Sequence, residues 1–253
     1  MTLALDIGNT AVKGGLFDGR DLVRTFRFAT DPAASVPAYR HALRHHLDGA
    51  EVQRTGIASV VPAVTERLAE AVQAETLGLP LVIRHTLTLP FAMGYKTPET
   101  LGTDRIALAA GAQACYRARH SGPLVVVDAG TAVNVEVLSA DDVYLGGTIG
   151  AGPDLIRRAL TGGTAQLPDV KPRLPRRAIG RSTQEALQAG ILFPFLDGVR
   201  GLLGRIADEL DGEPLVVATG GWGALLAEHV PAIDHAEPHL VLHGVQALLE
   251  RNP

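Results

Sequence analysis

The chain repeats itself. "LALDIGNTAVKGGLFDGRDL", residues 3–22, and "VVVDAGTAVNVEVLSADDVYL", residues 125–145, follow one plan: an apolar strand, Asp-x-Gly, Thr-Ala-Val, a second strand and an acidic turn. Asp6 and Asp128 lie about half the chain apart, so the repeat predicts two related lobes. Each lobe opens on a strand that delivers a carboxylate into a tight turn. A carboxylate at the tip of an otherwise apolar strand is costly to bury unless something there needs it. The boundary is expected before Leu124, near Ser121–Pro123, giving lobes over residues 1–121 and 122–253.

Apolar runs of strand length fall at Leu3–Ile7, Gly56–Val61, Leu81–Ile83, Leu124–Val127 and Leu215–Ala218. Between them, apolar residues recur at three and four positions over Val64–Ala74, Arg105–Arg117, Gln184–Leu210 and His239–Leu249, predicting helices. Strands alternating with helices imply an α/β fold with largely parallel sheets flanked by helices. Val12–Thr30 and Ala132–Ile149 break that rhythm and read as β-hairpins, so each lobe combines a hairpin with parallel strands in a mixed sheet.

Composition excludes several classes. With 46% hydrophobic and 20% charged residues the chain has the balance of a globular domain, and no unbroken apolar run approaches the ~20 residues of a membrane span. The first residues do not resemble a secretory signal, and the expected location is cytoplasmic, without membrane association. One cysteine, Cys115, rules out an internal disulfide and a multi-cysteine metal site, and is expected in a helix core. A net charge of −4 offers no field for nucleic acid, and the basic run at Lys171–Arg181, rich in Pro, reads as a solvated loop. The histidines at 41, 45 and 46 and at 235, 239 and 243 read as solvated or capping residues, since Pro238 separates His235 from the last helix.

The chemistry concentrates in the turns. A glycine two residues after an aspartate lets the backbone turn sharply and expose its N–H groups, and a following Thr adds a hydroxyl donor, a combination suited to phosphate oxygens. The adjacent carboxylate, Asp6, suits Mg²⁺, directly or through water. Lys13 lies near the first turn, where it can neutralise a terminal phosphate, and the glycines of "ATGGWG" at Gly220–Gly223 suit the close approach of a flat ring. "LGTDR" reads as a helix start with Thr103 as N-cap and Asp104 and Arg105 in the first turn. Positive potential there keeps Asp104 ionised, as a general base requires. No Gly-x-Ser-x-Gly elbow or Gly-x₄-Gly-Lys-Ser/Thr loop occurs.

Together "DIGNT", "LGTDR", "DAGTA", "GGTIGAG", "IGRST" and "ATGG", in this order, resemble the type III pantothenate kinases almost end to end. The resemblance implies the actin-like, ribonuclease H-like fold in two duplicated lobes, and a homodimer. It implies transfer of the γ-phosphoryl of ATP to the primary hydroxyl of pantothenate, the first step towards coenzyme A. It assigns Asp6, Ile7, Gly8, Asn9, Thr10, Ala11, Val12 and Lys13, with Thr131, to ATP; Asp128 to a monovalent cation, K⁺ or NH₄⁺; and Asp104 to the proton acceptor. Tyr95, Gly102, Thr103, Asp104, Arg105 and Thr183 would line the pantothenate site. The chain departs from the family pattern at Ala11, Val133 and Ala151, and at Lys96 and Thr97 beside Tyr95. A nucleotide- or pantothenate-binding regulatory relative without turnover, and a kinase of another small acceptor, are the competing readings.

Overall fold

A computed structural model describes residues 1–253. The chain divides into two compact units: residues 1–119, 142–144 and 239–253 in the first, and 120–141 and 145–238 in the second.

In the first unit, β1 (Thr2–Ile7), β2 (Ala11–Asp18) and β3 (Asp21–Ala29) form an antiparallel meander, followed by α1 (Val36–Leu47), β4 (Arg54–Ser59), α2 (Pro62–Glu75) and β5 (Leu81–Val82). The sheet order is β3-β2-β1-β4-β5, with β4 parallel to β1 and β5 parallel to β4. On β1, Leu3, Leu5 and Ile7 pack with Tyr39 and Leu43 of α1 and Val64 and Leu68 of α2. Alternation along the strand turns Asp6 to the opposite face. Pro62 explains why β4 stops at Ser59 rather than at Val61: it occupies the first position of α2 and cannot donate to a ladder. Two residues of β6 (Ala92–Met93) pair in parallel with Val143 and Tyr144. After a 3-10 turn at Pro98–Thr100 comes α3 (Thr103–Tyr116), buried on nearly every side. Cys115 is only half-buried near its end.

The second unit opens with β7 (Leu124–Ala129), β8 (Ala132–Leu138) and β9 (Val143–Ala151), whose first two residues cluster with the first unit. Then follow α4 (Pro153–Gly163), α5 (Thr183–Asp208), β10 (Leu215–Thr219), α6 (Gly223–His229) and β11 (His235–Ala236). The strand order β9-β8-β7-β10-β11 reproduces that of the first sheet position for position, β7 and β8 antiparallel and β7, β10 and β11 parallel. The repeat seen in the residues is thus a repeat of topology. Val125, Val127 and Ala129 of β7 meet Ile191, Leu192 and Phe195 of α5. With 26 residues, α5 is long and apolar enough to cross a bilayer by length and composition, although no unbroken apolar run signals it. Its apolar stripe is instead spent on the sheet of its own unit.

The last helix, α7 (Leu240–Arg251), belongs to the first unit and covers the face of β1 and β4 that bears Asp6. Glycines make room for it. A Cβ on Gly56 would lie 2.6 Å from a Val245 methyl, and on α3 and α7 the facing glycines Gly111 and Gly244 bring the two backbones together, with no space for a side chain on either.

Candidate active site

The first turn is built from the end of β1. Gly8 N–H donates to Ala11 C=O at 3.1 Å, closing a three-residue loop that leaves Asn9 and Thr10 exposed at the tip. Thr30, just past β3, holds it, its hydroxyl donating to Gly8 C=O at 2.6 Å and its N–H to Thr10 C=O at 3.2 Å. Ile7, Ala11 and Val12 anchor the loop in the core. Asp6 and Lys13 are register partners across the β1–β2 ladder, with Lys13 Nζ 3.2 Å from Asp6 Oδ2. Burial nevertheless prevails over this ion pair and pushes the Asp6 carboxyl above the usual carboxylate range.

Asp104 comes from a different element, the first turn of α3. Gly102, not Thr103, is the N-cap of α3, and it offers no capping side chain. The expected cap fails because the Thr103 hydroxyl is used elsewhere: it accepts Ser59 N–H at 2.7 Å and donates to Ser59 C=O at 2.9 Å. Asp104 folds its carboxylate back on its own helix, Oδ1 accepting Arg105 N–H at 2.8 Å. Gly102 permits this, since a Cβ there would lie 2.5 Å from Asp104 Oδ1. The Asp104 carboxyl is raised chiefly by desolvation and further by the negative charge of Asp6, against the lowering effect of Arg105 and its N–H. Desolvation thus outweighs the helix start that was expected to keep Asp104 ionised. Arg105 is 6% exposed and sits over the Tyr95 ring at 5.8 Å, while Tyr95 packs edge-on against the buried Tyr144 at 6.0 Å. The expected acceptor-site residues Tyr95 and Gly102–Arg105 are thus neighbours.

In the second unit the turn is one residue shorter. Gly130 N–H donates to Ala132 C=O at 2.9 Å, Thr131 is exposed at the tip, and Thr131 C=O accepts Gly152 N–H at 2.9 Å. Alternation places Asp128 on the face away from α5. Register lines up Thr219, Asp128 and Asn134 across β10, β7 and β8, so three oxygen-bearing side chains form one row. Asn134 Oδ1 is buried there without a hydrogen-bond partner. Gly220, at φ +82°, takes a conformation other residues rarely adopt, and its Cα hydrogen side lies against Asp128 Oδ1 and Ala129 C=O. That packing already explains a glycine at this position.

Thr183 is the first residue of α5, exposed and following the cap Ser182, whose hydroxyl accepts Glu185 N–H at 3.2 Å. The basic run at residues 171–181 has no regular structure. His41, His45 and His46 lie on α1, where His46 stacks on Phe26 with ring centroids 4.7 Å apart. Nothing in the sequence singled out Ser59 or Asn134, which stand beside Thr103 and Asp128. Ser59 falls inside an apolar run, and the signal that would have separated it is Pro62, which ends the strand and opens the next helix.

The type III pantothenate kinase family model matches residues 2–205. A type III pantothenate kinase of Moorella thermoacetica is 36% identical over 257 residues, covering 100% of both chains. One from Frankia alni is 37% identical over 259 residues, again with 100% of each chain covered. Among solved structures, a ROK hexokinase from Thermus thermophilus (TM-score 0.55, 15% identity, 98% of this chain and 99% of that one) shares the fold. So does a ROK family glucokinase from Streptomyces griseus (TM-score 0.54, 17% identity, 98% of each chain). The two mixed sheets flanked by helices are therefore the duplicated actin-like architecture that the motifs imply. With family match and full-length identity agreeing with the order of its motifs, the chain belongs to the type III pantothenate kinase family.

Proposed function

We propose that this chain transfers the γ-phosphoryl group of ATP to the primary hydroxyl of pantothenate. The observation that carries the reading is the family match over the length of the chain, with Asp104 in the first turn of α3, desolvated and accepting Arg105 N–H. A carboxyl displaced towards neutrality is better matched to accepting a hydroxyl proton at physiological pH. Asp104 takes that proton as the hydroxyl oxygen attacks, and Arg105 and Tyr95 hold the acceptor beside it. Residues 6–13 suit binding of the phosphates through turn N–H groups and the Thr10 hydroxyl, Lys13 offsets charge on the terminal phosphate, and the second turn, with Thr131 at its tip, offers donors of the same kind. Phosphoryl transfer needs mainly alignment and neutralisation, which this set supplies.

Mg²⁺ bound with the nucleotide would neutralise the β- and γ-phosphates, and a monovalent cation would add fixed positive charge beside them. Asp6 suits the first, since Mg²⁺ at such sites takes one or two carboxylates with the phosphates. The row of Thr219, Asp128 and Asn134 suits the second: its unpartnered Asn134 Oδ1 is an oxygen donor awaiting a positive charge. A second copy of the chain is the partner we assign. Leu145 and Ile149 on β9 are 48% and 69% exposed, alternating with the exposed Gly147 and Ala151, and α4 adds Leu155 at 41%. An apolar strip of that kind suits a homodimer. The location assigned is the cytoplasm, with neither nucleic acid nor membrane as partner.

A coupled ADP-release assay tests the reading. Turnover is expected only with pantothenate and Mg²⁺, and is expected to rise with K⁺ or NH₄⁺. Asp104→Asn is expected to lower kcat by about 100-fold or more, the scale of a lost general base. A panel of small sugars and hydroxy acids separates other kinases of this fold, and ligand-induced thermal stabilisation without ADP release would mark a silent binding protein.

A further inference from the structure

Thr103 belongs to the segment that the family resemblance gives to the acceptor, yet its hydroxyl is already engaged. Its only proton goes to Ser59 C=O and one lone pair takes Ser59 N–H, at 2.9 and 2.7 Å. Ser59 ends β4, in register with Ile7 at the end of β1, and Val60 N–H donates to Ile7 C=O at 3.1 Å. The β4–α2 corner is itself braced: Ser59 Oγ accepts Val61 N–H at 3.1 Å and pairs with the Thr65 hydroxyl at 2.6 Å. One continuous set of bonds therefore runs from the strand of Asp6, through the end of β4, to the residue next to Asp104. Such a tie has work to do, because α3 begins on a glycine with no capping side chain.

We infer that Thr103 is a positioning residue, its hydroxyl pinning the first turn of α3 to the end of β4 and so holding Asp104 in place, rather than a hydrogen-bonding contact to the acceptor. The inference rests on the kinase reading for its catalytic consequence.

The test compares Thr103→Val, which keeps the shape without the hydroxyl, with Thr103→Ser, which keeps the hydroxyl. Thr103→Val is expected to lower kcat at least about tenfold, in line with the cost of small misplacements of a catalytic group, with the pantothenate KM changed less than about threefold. Thr103→Ser is expected to restore kcat. A rise in KM of about tenfold or more with unchanged kcat overturns the inference, as that is the mark of a lost substrate contact. Amide hydrogen exchange in the first turn of α3 of the unliganded protein reads the loosened tie without turnover, and is expected to speed up in Thr103→Val and not in Thr103→Ser. Unchanged exchange in Thr103→Val overturns the inference, and absent wild-type turnover overturns the kinase reading alone. If Val unfolds the chain, Thr103→Cys, a weaker donor of similar size, is expected to speed exchange by less, and unchanged exchange overturns the inference.

Discussion

Gly102 is the residue on which the geometry of the base depends most directly. Its φ of −56° is open to any residue, so its need for hydrogen in place of a side chain comes from Asp104 Oδ1, 2.5 Å from where a Cβ would stand. Gly102→Ala is therefore expected to swing the carboxylate off Arg105 N–H and lower kcat by about 100-fold, while the melting temperature changes little. Thermal melts run beside steady-state assays check both halves. At this scale the sequence was legible where a residue acts on its own neighbours. The turns after Asp6 and Asp128 and the helix start at Asp104 were readable from the residues themselves. Thr103 was misread as a cap because a hydroxyl before an acidic turn usually caps, and nothing local reveals that Ser59 competes for it.

Elements with their own periodicity were equally readable, whereas those defined by a partner were not. The apolar spacing of α2, α3, α5 and α7 anticipated each helix to within a few residues. α4 escaped because only Pro153 on it is buried, leaving a short helix between glycine-rich stretches. The pairing of α3 with α7 was also invisible: a lone glycine within a helical pattern reads as a local weakness, and Gly111 and Gly244 acquire meaning only when placed against each other. A methyl at position 244 would overlap the Ala107 carbonyl oxygen, and backbone cannot rotate away as a side chain does. Gly244→Ala is expected to destabilise the protein by about 1–3 kcal/mol through overpacking, read as a lowered urea midpoint. Because α3 carries Asp104 at its other end, kcat is expected to fall with it.

For the whole molecule, the buried carboxylates set the pH dependence of stability. Asp6 and Asp104 are both raised in the folded state, so the folded chain keeps protons that the unfolded chain releases above about pH 4. Their stabilising contribution is complete below that pH and is lost as pH rises through their folded midpoints. Asp104→Asn is therefore expected to raise the urea midpoint at pH 7 and to flatten the decline in stability between about pH 4 and 7, the opposite of its effect on turnover. The exposed β9 strip makes a second prediction at this scale: Ile149→Glu, placing a charge where the side chain is 69% exposed, is expected to leave the fold intact and shift sedimentation from dimer to monomer. The duplicated order of strands was foreseeable from two matching segments, since turn and strand patterns are local. The return of the final helix to the first sheet was not, because an amphipathic pattern does not name the surface it will cover.

That return governs the order in which the chain can mature. As synthesis proceeds from the amino end, β1 to α3 emerge early, but the surface around Gly56 and Gly111 stays wet until residues 240–251 have left the ribosome. The first half to be made is thus the last to be finished, and a nascent chain halted before Leu240 would hold an open apolar face for chaperones to find.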